Sequence, residues 1–174
     1  MKTAFDLPAE PDPISRHPKA AAPGERINLH HGLCFGCGKD SPQGLHLNVI
    51  AGEDFTASAE LEVQAWMMGG PDMIHGGLLA TAFDEVMGTL PLLIGSPVVT
   101  GNLEIDYLKP IMVGSTLKLR SEILAKERRK VFVCGIAYID DPEQPVAMSE
   151  AIFIEIDVRK HYPAYRDRAA QSRL

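Results

Sequence analysis

The chain has 174 residues and a formal net charge of −6, with 45% hydrophobic and 23% charged residues. This composition is that of a globular domain and excludes a disordered, collagen-like or disulfide-rich chain. The acidic balance disfavours nucleic acid as the main partner, because phosphate binding needs a basic surface.

The apolar segments and the cysteines indicate the cellular compartment of the protein. We find no run of about 18 apolar residues, so we expect no membrane span. The first residues lack the apolar core of a secretory signal. The three cysteines, Cys34, Cys37 and Cys134, are an odd number and make no disulfide framework. We therefore expect a reduced, cytoplasmic protein.

Residues 1–26 form a proline-rich N-terminal arm. They contain five of the 13 prolines and few large apolar side chains. Each proline fixes one backbone angle and removes a hydrogen-bond donor, which favours an extended conformation. The composition favours a solvated tail, and the alternative is an arm that packs across a partner subunit.

The polar segment 27–43 is rich in turn residues and contains the pair Cys34-x-x-Cys37. Three histidines lie near this pair: His30, His31 and His46. Such a group could supply the four ligands of a zinc site. Structural zinc sites usually combine two ligand pairs, and only one is present. We therefore expect a turn-forming role, with no metal and no cofactor.

Two strands are predicted before the first helix. Leu45, Leu47 and Val49 alternate with polar residues in 44–52, and a second alternating run occupies 55–63. Gly52-Glu53-Asp54 suits a hairpin turn between them.

Residues 75–94 change to a helical period. Leu78, Ala82, Val86 and Leu90 recur every four residues, which predicts a central helix with a wide apolar face. Pro91 should end or kink this helix.

Four more strands are predicted at 98–108, 116–124, 131–139 and 146–156. The last of these strands carries apolar side chains on one face, namely Met148, Ile152, Ile154 and Ile156. Two strands, one helix and four strands indicate an α+β fold, with an antiparallel sheet packed on the helix. The second face of such a sheet must meet water or a partner, and the apolar run at 131–139 favours a partner. The domain spans 27–158, and 159–174 is a basic tail.

The segment that opens the helix is the candidate site. His75-Gly76-Gly77 stands at the helix N-terminus, where unpaired N–H groups and the helix dipole attract negative charge. Such donors stabilise an oxyanion, each contributing about 10²–10³ in rate. Asp84 is a carboxylate in an otherwise apolar helix, which is costly unless partnered or functional, and Glu85 falls on a different face. A rise of about 1.5 Å per residue separates Gly76 from Asp84 by about 12 Å, so a shared reaction centre requires two antiparallel helices and hence a dimer.

The order of elements and the motif HGGLLATAFDEVMG resemble the hotdog-fold acyl-CoA thioesterases, in the PaaI-like and human C-terminal-modulator-like branch. The resemblance covers about residues 30–158. It implies an acyl-CoA substrate, hydrolysis to free acid and CoA, and a homodimer or dimer of dimers with its site at the subunit interface.

The resemblance also implies roles for residues. Asp84 would activate water or attack the thioester directly, the Gly76 amide would polarise the carbonyl, and His75 and Thr100 would orient water or substrate. Substrate-binding positions are Gly77, where a glycine permits close approach, and the basic residues Lys109, Arg128 and Arg129, which suit the phosphates of CoA. Family members often carry an asparagine before HGG to hold water, whereas this chain has Gly69, Gly70 and Asp72 there.

Two other functions are compatible with the pattern. A hotdog hydratase or dehydratase would use a different arrangement of histidine and acid. A non-catalytic acyl-CoA binding or sensing module would keep the pocket but usually carries a DNA-binding segment, for which the proline-rich arm is unsuited. The basic turn at 126–130 could likewise be a solvated hairpin tip.

Overall fold

The computed structural model describes residues 6–27 and 31–161. The strands are β1 (Ile50–Ala51), β2 (Thr56–Glu62), β3 (Met68–Gly70), β4 (Met73–Ile74), β5 (Val98–Tyr107), β6 (Thr116–Glu127), β7 (Lys130–Tyr138) and β8 (Ala147–Glu155). The helices are α1 (Gly76–Thr89) and the short α2 (Val158–His161), with 3₁₀ turns at Ala65–Met67 and Leu90–Ile94.

Six strands form one antiparallel sheet in the order β1-β2-β6-β7-β8-β5. Helix α1 packs on one face of this sheet and contacts β2, β5, β6, β7 and β8. Strands β3 and β4 form a separate two-stranded hairpin just before α1, which the sequence did not predict. The α+β architecture expected from the order of elements is confirmed, and it is that of a hotdog fold.

The face of β8 that meets the helix carries mostly small residues. Ala147, Ser149 and Ala151 are buried with Phe153, whereas the apolar side chains Met148, Ile152 and Ile154 on the other face are only half-buried. Small residues allow the central helix to approach the sheet closely. The apolar side of this strand identified from the sequence is therefore the outer face of the sheet.

The first predicted strand is mostly a loop. Only Ile50–Ala51 pairs with β2, although Leu45, Leu47 and Val49 are buried as their alternation indicated. The backbone of this segment bonds to the preceding turn instead, with Leu45 N–H donating to the Phe35 carbonyl at 2.7 Å. Alternation therefore identified the buried side chains but not the backbone partners.

The central helix ends at Thr89, five residues before the predicted limit. Pro91 lies in the first turn of the 3₁₀ segment that follows, because a proline cannot donate within an α-helix. Together these segments, Gly76–Ile94, are 19 residues long with a mean hydropathy of 1.4, enough by length and composition to cross a membrane. Asp84 and Glu85 interrupt the segment, so it is not a continuous apolar run, and the expected absence of a membrane span stays a prediction. Of its 18-residue window, 56% is buried inside the protein, as in a core helix.

The described part of the N-terminal arm packs on its own chain. Asp12 N–H donates to the Lys126 carbonyl and His17 N–H to the Leu93 carbonyl, both at 2.8 Å. The Arg16 guanidinium donates to the Gly52 carbonyl at 2.6 Å. The expectation of a solvated tail was therefore wrong for these residues, because donors between the prolines find carbonyls on the folded domain.

Candidate active site

His75 caps the N-terminus of α1. Its imidazole Nδ1 accepts a hydrogen bond from the Gly77 N–H at 2.9 Å, which places the proton of a neutral ring on Nε2. Its own N–H donates to the Met67 carbonyl at 2.7 Å and fixes the entry of the chain into the helix. His75 thus orients the helix end, and its exposed Nε2–H can donate to a ligand.

The Gly76 N–H is the available donor of the first turn. The Gly77 N–H is bound to His75, and the Leu78 N–H donates to the His75 carbonyl at 2.9 Å. Within residues 6–27 and 31–161, Gly76 N–H meets no acceptor. The oxyanion role predicted for Gly76 is therefore open to it, whereas the Gly77 amide is occupied and a substrate contact at Gly77 stays a prediction.

Tyr107, at the end of β5, closes over this helix end. Its hydroxyl donates to the Gly76 carbonyl at 3.0 Å, and a side chain added at Gly76 would place its Cβ 3.3 Å from the tyrosine ring. The sequence patterns did not single out Tyr107, which lies within the predicted strand 98–108. The feature that could have identified it in the sequence is an aromatic residue with a hydroxyl group at the end of a predicted strand, two positions before Lys109.

Gly69 allows the β3–β4 hairpin to contact His75. A Cβ at Gly69 would lie 2.6 Å from His75 Cα and 2.8 Å from its Cβ, so a larger residue would displace the cap. Gly69, one of the residues found before the His-Gly-Gly motif, therefore has a structural reason, which is its close approach to His75.

The structure brings two of the candidate site residues, Asp84 and Thr100, into contact. Thr100 Oγ1 donates to Asp84 Oδ1 at 2.6 Å. Asp84 is half-exposed, and no donor among the described residues contacts its second oxygen, Oδ2. A threonine that binds one carboxylate oxygen fixes the rotamer and leaves the other free to accept a proton or to attack.

A β-bulge turns Thr100 toward the helix. The register of β5 against β8 shifts between Thr100 and Asn102, so that Thr100 pairs with Phe153 while Leu103 pairs with Ala151. In a regular strand, with Gly101 paired and no bulge, Thr100 would face away from the side that carries Leu103 and Tyr107. A Cβ at Gly101 would lie 2.8 Å from Ile154 Cγ1, which explains the glycine.

The two halves of the site lie apart within one chain. Gly76 and Asp84 are separated by about 12 Å along α1. On β5, Tyr107 marks the Gly76 half and Thr100 marks the Asp84 half, near opposite ends of the strand. One chain therefore presents the Gly76 amide and the Asp84 carboxylate at separate places.

The basic residues predicted to bind phosphate lie at opposite ends of β5. Lys109 is exposed, two residues beyond Tyr107 and near the amide half. Arg129 Nε donates to the Glu155 carbonyl at 2.9 Å, where β8 meets the start of β5, and the Arg128 N–H donates to Asp12. Within one chain, the Arg128–Arg129 turn and the Gly76 amide therefore do not share a site.

The Arg128–Arg129 turn is also held by an ion pair. Lys126 Nζ lies 2.8 Å from Glu155 Oε2, and the Ser96 hydroxyl donates to the same oxygen at 2.9 Å. The hydrogen bond from Lys126 lowers the pKa of Glu155 below its ordinary value, with a smaller contribution from Ser96. These contacts hold the turn against the end of β8, and phosphate binding by Arg128 and Arg129 stays a prediction.

Comparison with known proteins shows what this part of the chain resembles. The model of the thioesterase superfamily matches residues 72–146, which include α1, β5 and both halves of the site. The PaaI protein of the Escherichia coli phenylacetic acid degradation operon superposes with a TM-score of 0.60 at 21% identity, over 65% of this chain and 81% of that one.

Two further similar proteins are described with acyl-CoA in their names. The mouse acyl-coenzyme A thioesterase THEM4 is 37% identical over 95 residues, which are 54% of this chain and 40% of that protein. The chain thus matches less than half the length of this relative. A Streptococcus mutans UA159 protein, smu.793, solved with bound acetyl CoA, superposes with a TM-score of 0.59 at 22% identity, over 63% of this chain and 88% of that one.

Proposed function

We propose that this protein is an acyl-CoA thioesterase that hydrolyses a thioester to a free acid and CoA. Its similarity to a relative named as an acyl-CoA thioesterase and its thioesterase-superfamily domain support this activity. The observation that carries the proposal is the Asp84 carboxylate, which Thr100 holds through Oδ1 while no described residue donates to Oδ2. A half-exposed, oriented carboxylate on a superfamily helix is suited to general-base or nucleophilic chemistry.

Two routes use the same residues. In the first, Asp84 takes a proton from water, the hydroxide adds to the thioester carbon, and the carbonyl oxygen becomes an anion that the Gly76 N–H binds. The carbon–sulfur bond then breaks, and the CoA thiolate leaves and takes up a proton. In the second, Asp84 adds to the carbon itself, CoA leaves, and water hydrolyses the resulting anhydride.

The reaction centre requires a homodimer that pairs two copies of β5. This ten-residue strand is a sheet edge with no neighbour on its outer side in the described chain, and long free edges are usually paired or protected. Antiparallel pairing about the middle of β5 sets Thr100 of one copy opposite the Tyr107 end of the other. One subunit's Asp84 then faces the other subunit's Gly76, and a dimer has two such sites.

The same pairing gives the basic residues a common role. Lys109 of one copy would approach the start of β5 in the other, where Arg129 binds the Glu155 carbonyl. We propose that these cations hold the CoA phosphates, which both lysine and arginine suit. Three free cysteines among the described residues support a reducing, cytoplasmic location.

The test is CoA-thiol release from short, medium, long-chain and aromatic acyl-CoAs, measured for the wild type and Asp84→Asn. We expect turnover by the wild type and a loss of about 10²–10⁴ in kcat for the variant, because asparagine neither accepts the proton nor attacks. Unchanged melting temperature and oligomeric state serve as the control. Acyl-CoA binding without turnover by the wild type would instead identify a binding module.

A single-turnover reaction in H₂¹⁸O separates the two routes. If Asp84 attacks, one ¹⁸O is incorporated into its carboxylate when the anhydride is hydrolysed there. If Asp84 activates water, the label goes only to the released acid. Mass spectrometry of the peptide that contains Asp84 distinguishes the two results.

A further inference from the structure

The turn that contains Cys34 and Cys37 lies on α1 beside a buried glutamate. Cys34 Sγ is 3.3 Å from Glu85 Oε2, and the ligand atoms of Cys34, Cys37 and Glu85 all lie within 4.8 Å of one another. Cys37 and Glu85 are only 3% and 7% exposed, and Cys34 is half-buried. The spacing of the two cysteines in the sequence did not indicate Glu85, because Glu85 lies about 50 residues later on α1.

The fold holds this turn against the glutamate. A Cβ at Gly36 would lie 2.3 Å from Glu85 Oε2 and 2.8 Å from Glu85 Cβ, so only glycine fits at position 36. The Leu47 N–H donates to the Gly36 carbonyl and the Gly38 N–H to the Cys34 carbonyl, both at 2.8 Å. The backbone therefore positions the two sulfur atoms before any ligand arrives.

The chemistry of this cluster fits zinc. Two cysteine sulfurs and a carboxylate oxygen are ordinary zinc ligands, and a Cys-x-x-Cys spacing lets both sulfurs bind one tetrahedral ion. Two thiolates and a carboxylate in a nearly buried site would carry three negative charges, and a divalent cation offsets two of them. His31 Nδ1 accepts from the Leu33 N–H, and His46 Nδ1 contacts the Gly38 carbonyl, so the structure places neither of these imidazole nitrogens in the cluster.

We propose that Cys34, Cys37 and Glu85 bind one Zn²⁺ ion that fastens the turn to α1. The fourth tetrahedral position is left for water or another donor. Glu85 follows Asp84 in the helix and points about 100° away from it, so the ion does not take part in thioester hydrolysis. It restrains the helical turn that carries Asp84 and thereby stabilises the fold.

Metal content of the full chain, purified under reducing conditions and dialysed against zinc-free buffer, tests the proposal. We expect about one zinc per chain, falling at least about tenfold in Cys34→Ser/Cys37→Ser and in Glu85→Gln. Cys134→Ser is the matched control, because burial raises the pKa of the Cys134 thiol to about 11 and it lies on β7, outside the cluster. It should keep its zinc.

Cobalt and a chelator supply readouts that do not depend on enzyme activity. Co²⁺ added to the stripped protein should give thiolate-to-cobalt charge-transfer absorption in the wild type and in Cys134→Ser, but not in the double variant. A strong chelator should lower the melting temperature of the wild type, and added zinc should restore it. The proposal is overturned by substoichiometric zinc in the wild type, by equal zinc in the double variant, or by a Cys34–Cys37 disulfide that persists under reducing conditions.

Discussion

At the scale of single residues, the site depends on which polar groups are already bound and which are available. His75 binds the Gly77 N–H, Tyr107 binds the Gly76 carbonyl, and Thr100 binds one oxygen of Asp84. Each contact orients a group beside one that no described residue binds. These unbound groups are the Gly76 N–H near the end of β5 and Asp84 Oδ2 near its start. Such fixed donors and acceptors stabilise charge as it develops, because they need no reorganisation during the reaction.

Replacement of Gly76 by proline should remove the oxyanion donor with little change to the fold. Position 76 is the first residue of the helix, where proline is favoured, and His75 has the extended conformation that proline requires of its predecessor. We expect Gly76→Pro to lower kcat by about 10²–10³. Gly76→Ala is the control, since it adds the same Cβ beside Tyr107 but keeps the N–H. Equal losses in the two variants would show that the contact with Tyr107, and not the amide, is responsible.

Thr100 is a positioning residue, and its hydroxyl can be tested separately from its shape. Thr100→Val keeps the shape but removes the donor to Asp84, and a hydrogen bond to a charged group contributes enough that kcat should fall about 10- to 100-fold. KM should change little, because Thr100 acts through Asp84. Thr100→Ser should retain most activity. A valine variant as active as the wild type would exclude this role.

At the scale of elements, small deviations from regular structure place the site residues. The bulge at Gly101 turns Thr100 to the helix side of β5, the β3–β4 hairpin reaches His75 through Gly69, and the turn after β6 is tied to β8. None of these features follows from periodicity. Each depends on a glycine or a charged residue that contacts a residue distant in the sequence, so its role can be recognised only in the folded structure.

The ion pair between Lys126 and Glu155 should stabilise the β6–β7 hairpin in a pH-dependent way. Because the pKa of Glu155 is lowered in the folded state, its contribution is present above its ordinary value of 4.5 and is lost as the pH falls through the folded pKa. We expect Lys126→Met to lower the free energy of unfolding by about 0.5 kcal/mol at neutral pH, with the difference vanishing on acidification. Urea unfolding over a pH series measures this. Lys160→Met is the control, because its 3.9 Å pair with Asp157 is largely exposed and should contribute nothing measurable.

At the scale of the whole molecule, the site is divided between the two ends of one subunit. The chain has a long edge strand, with a helix amide near one end of it and a carboxylate near the other. In the proposed dimer, a second copy related by a two-fold axis brings the amide of one chain to the carboxylate of the other. The proposed dimer explains why a single chain contains the required groups without bringing them together.

Subunit mixing tests this arrangement directly. Gly76→Pro and Asp84→Asn each inactivate both sites of their own homodimer, but a mixed dimer contains one site with an intact amide and an intact carboxylate. After unfolding and joint refolding of equal amounts, about a quarter of wild-type activity should return, because half of the dimers are mixed and each has one of two sites. If each subunit contains its own complete site, mixing restores nothing.

Much of the fold and half of the site chemistry were predictable from the sequence, because they depend on local patterns. The period of four at 75–94 identified the central helix, alternation identified buried faces, and His-Gly-Gly before an apolar helix with one aspartate identified the candidate motif. Capping and the accessibility of the Gly76 amide are consequences of helix geometry at those positions.

The tertiary structure alone determined which distant groups meet. It placed Tyr107 on Gly76, turned Thr100 toward Asp84 through a bulge, seated the N-terminal arm on its own domain, and brought Glu85 to the two cysteines. A sequence pattern gives the direction of a side chain relative to its own strand or helix. Contacts between elements depend instead on sheet order, register and the close approach that particular glycines permit, and these are fixed only when the whole chain packs.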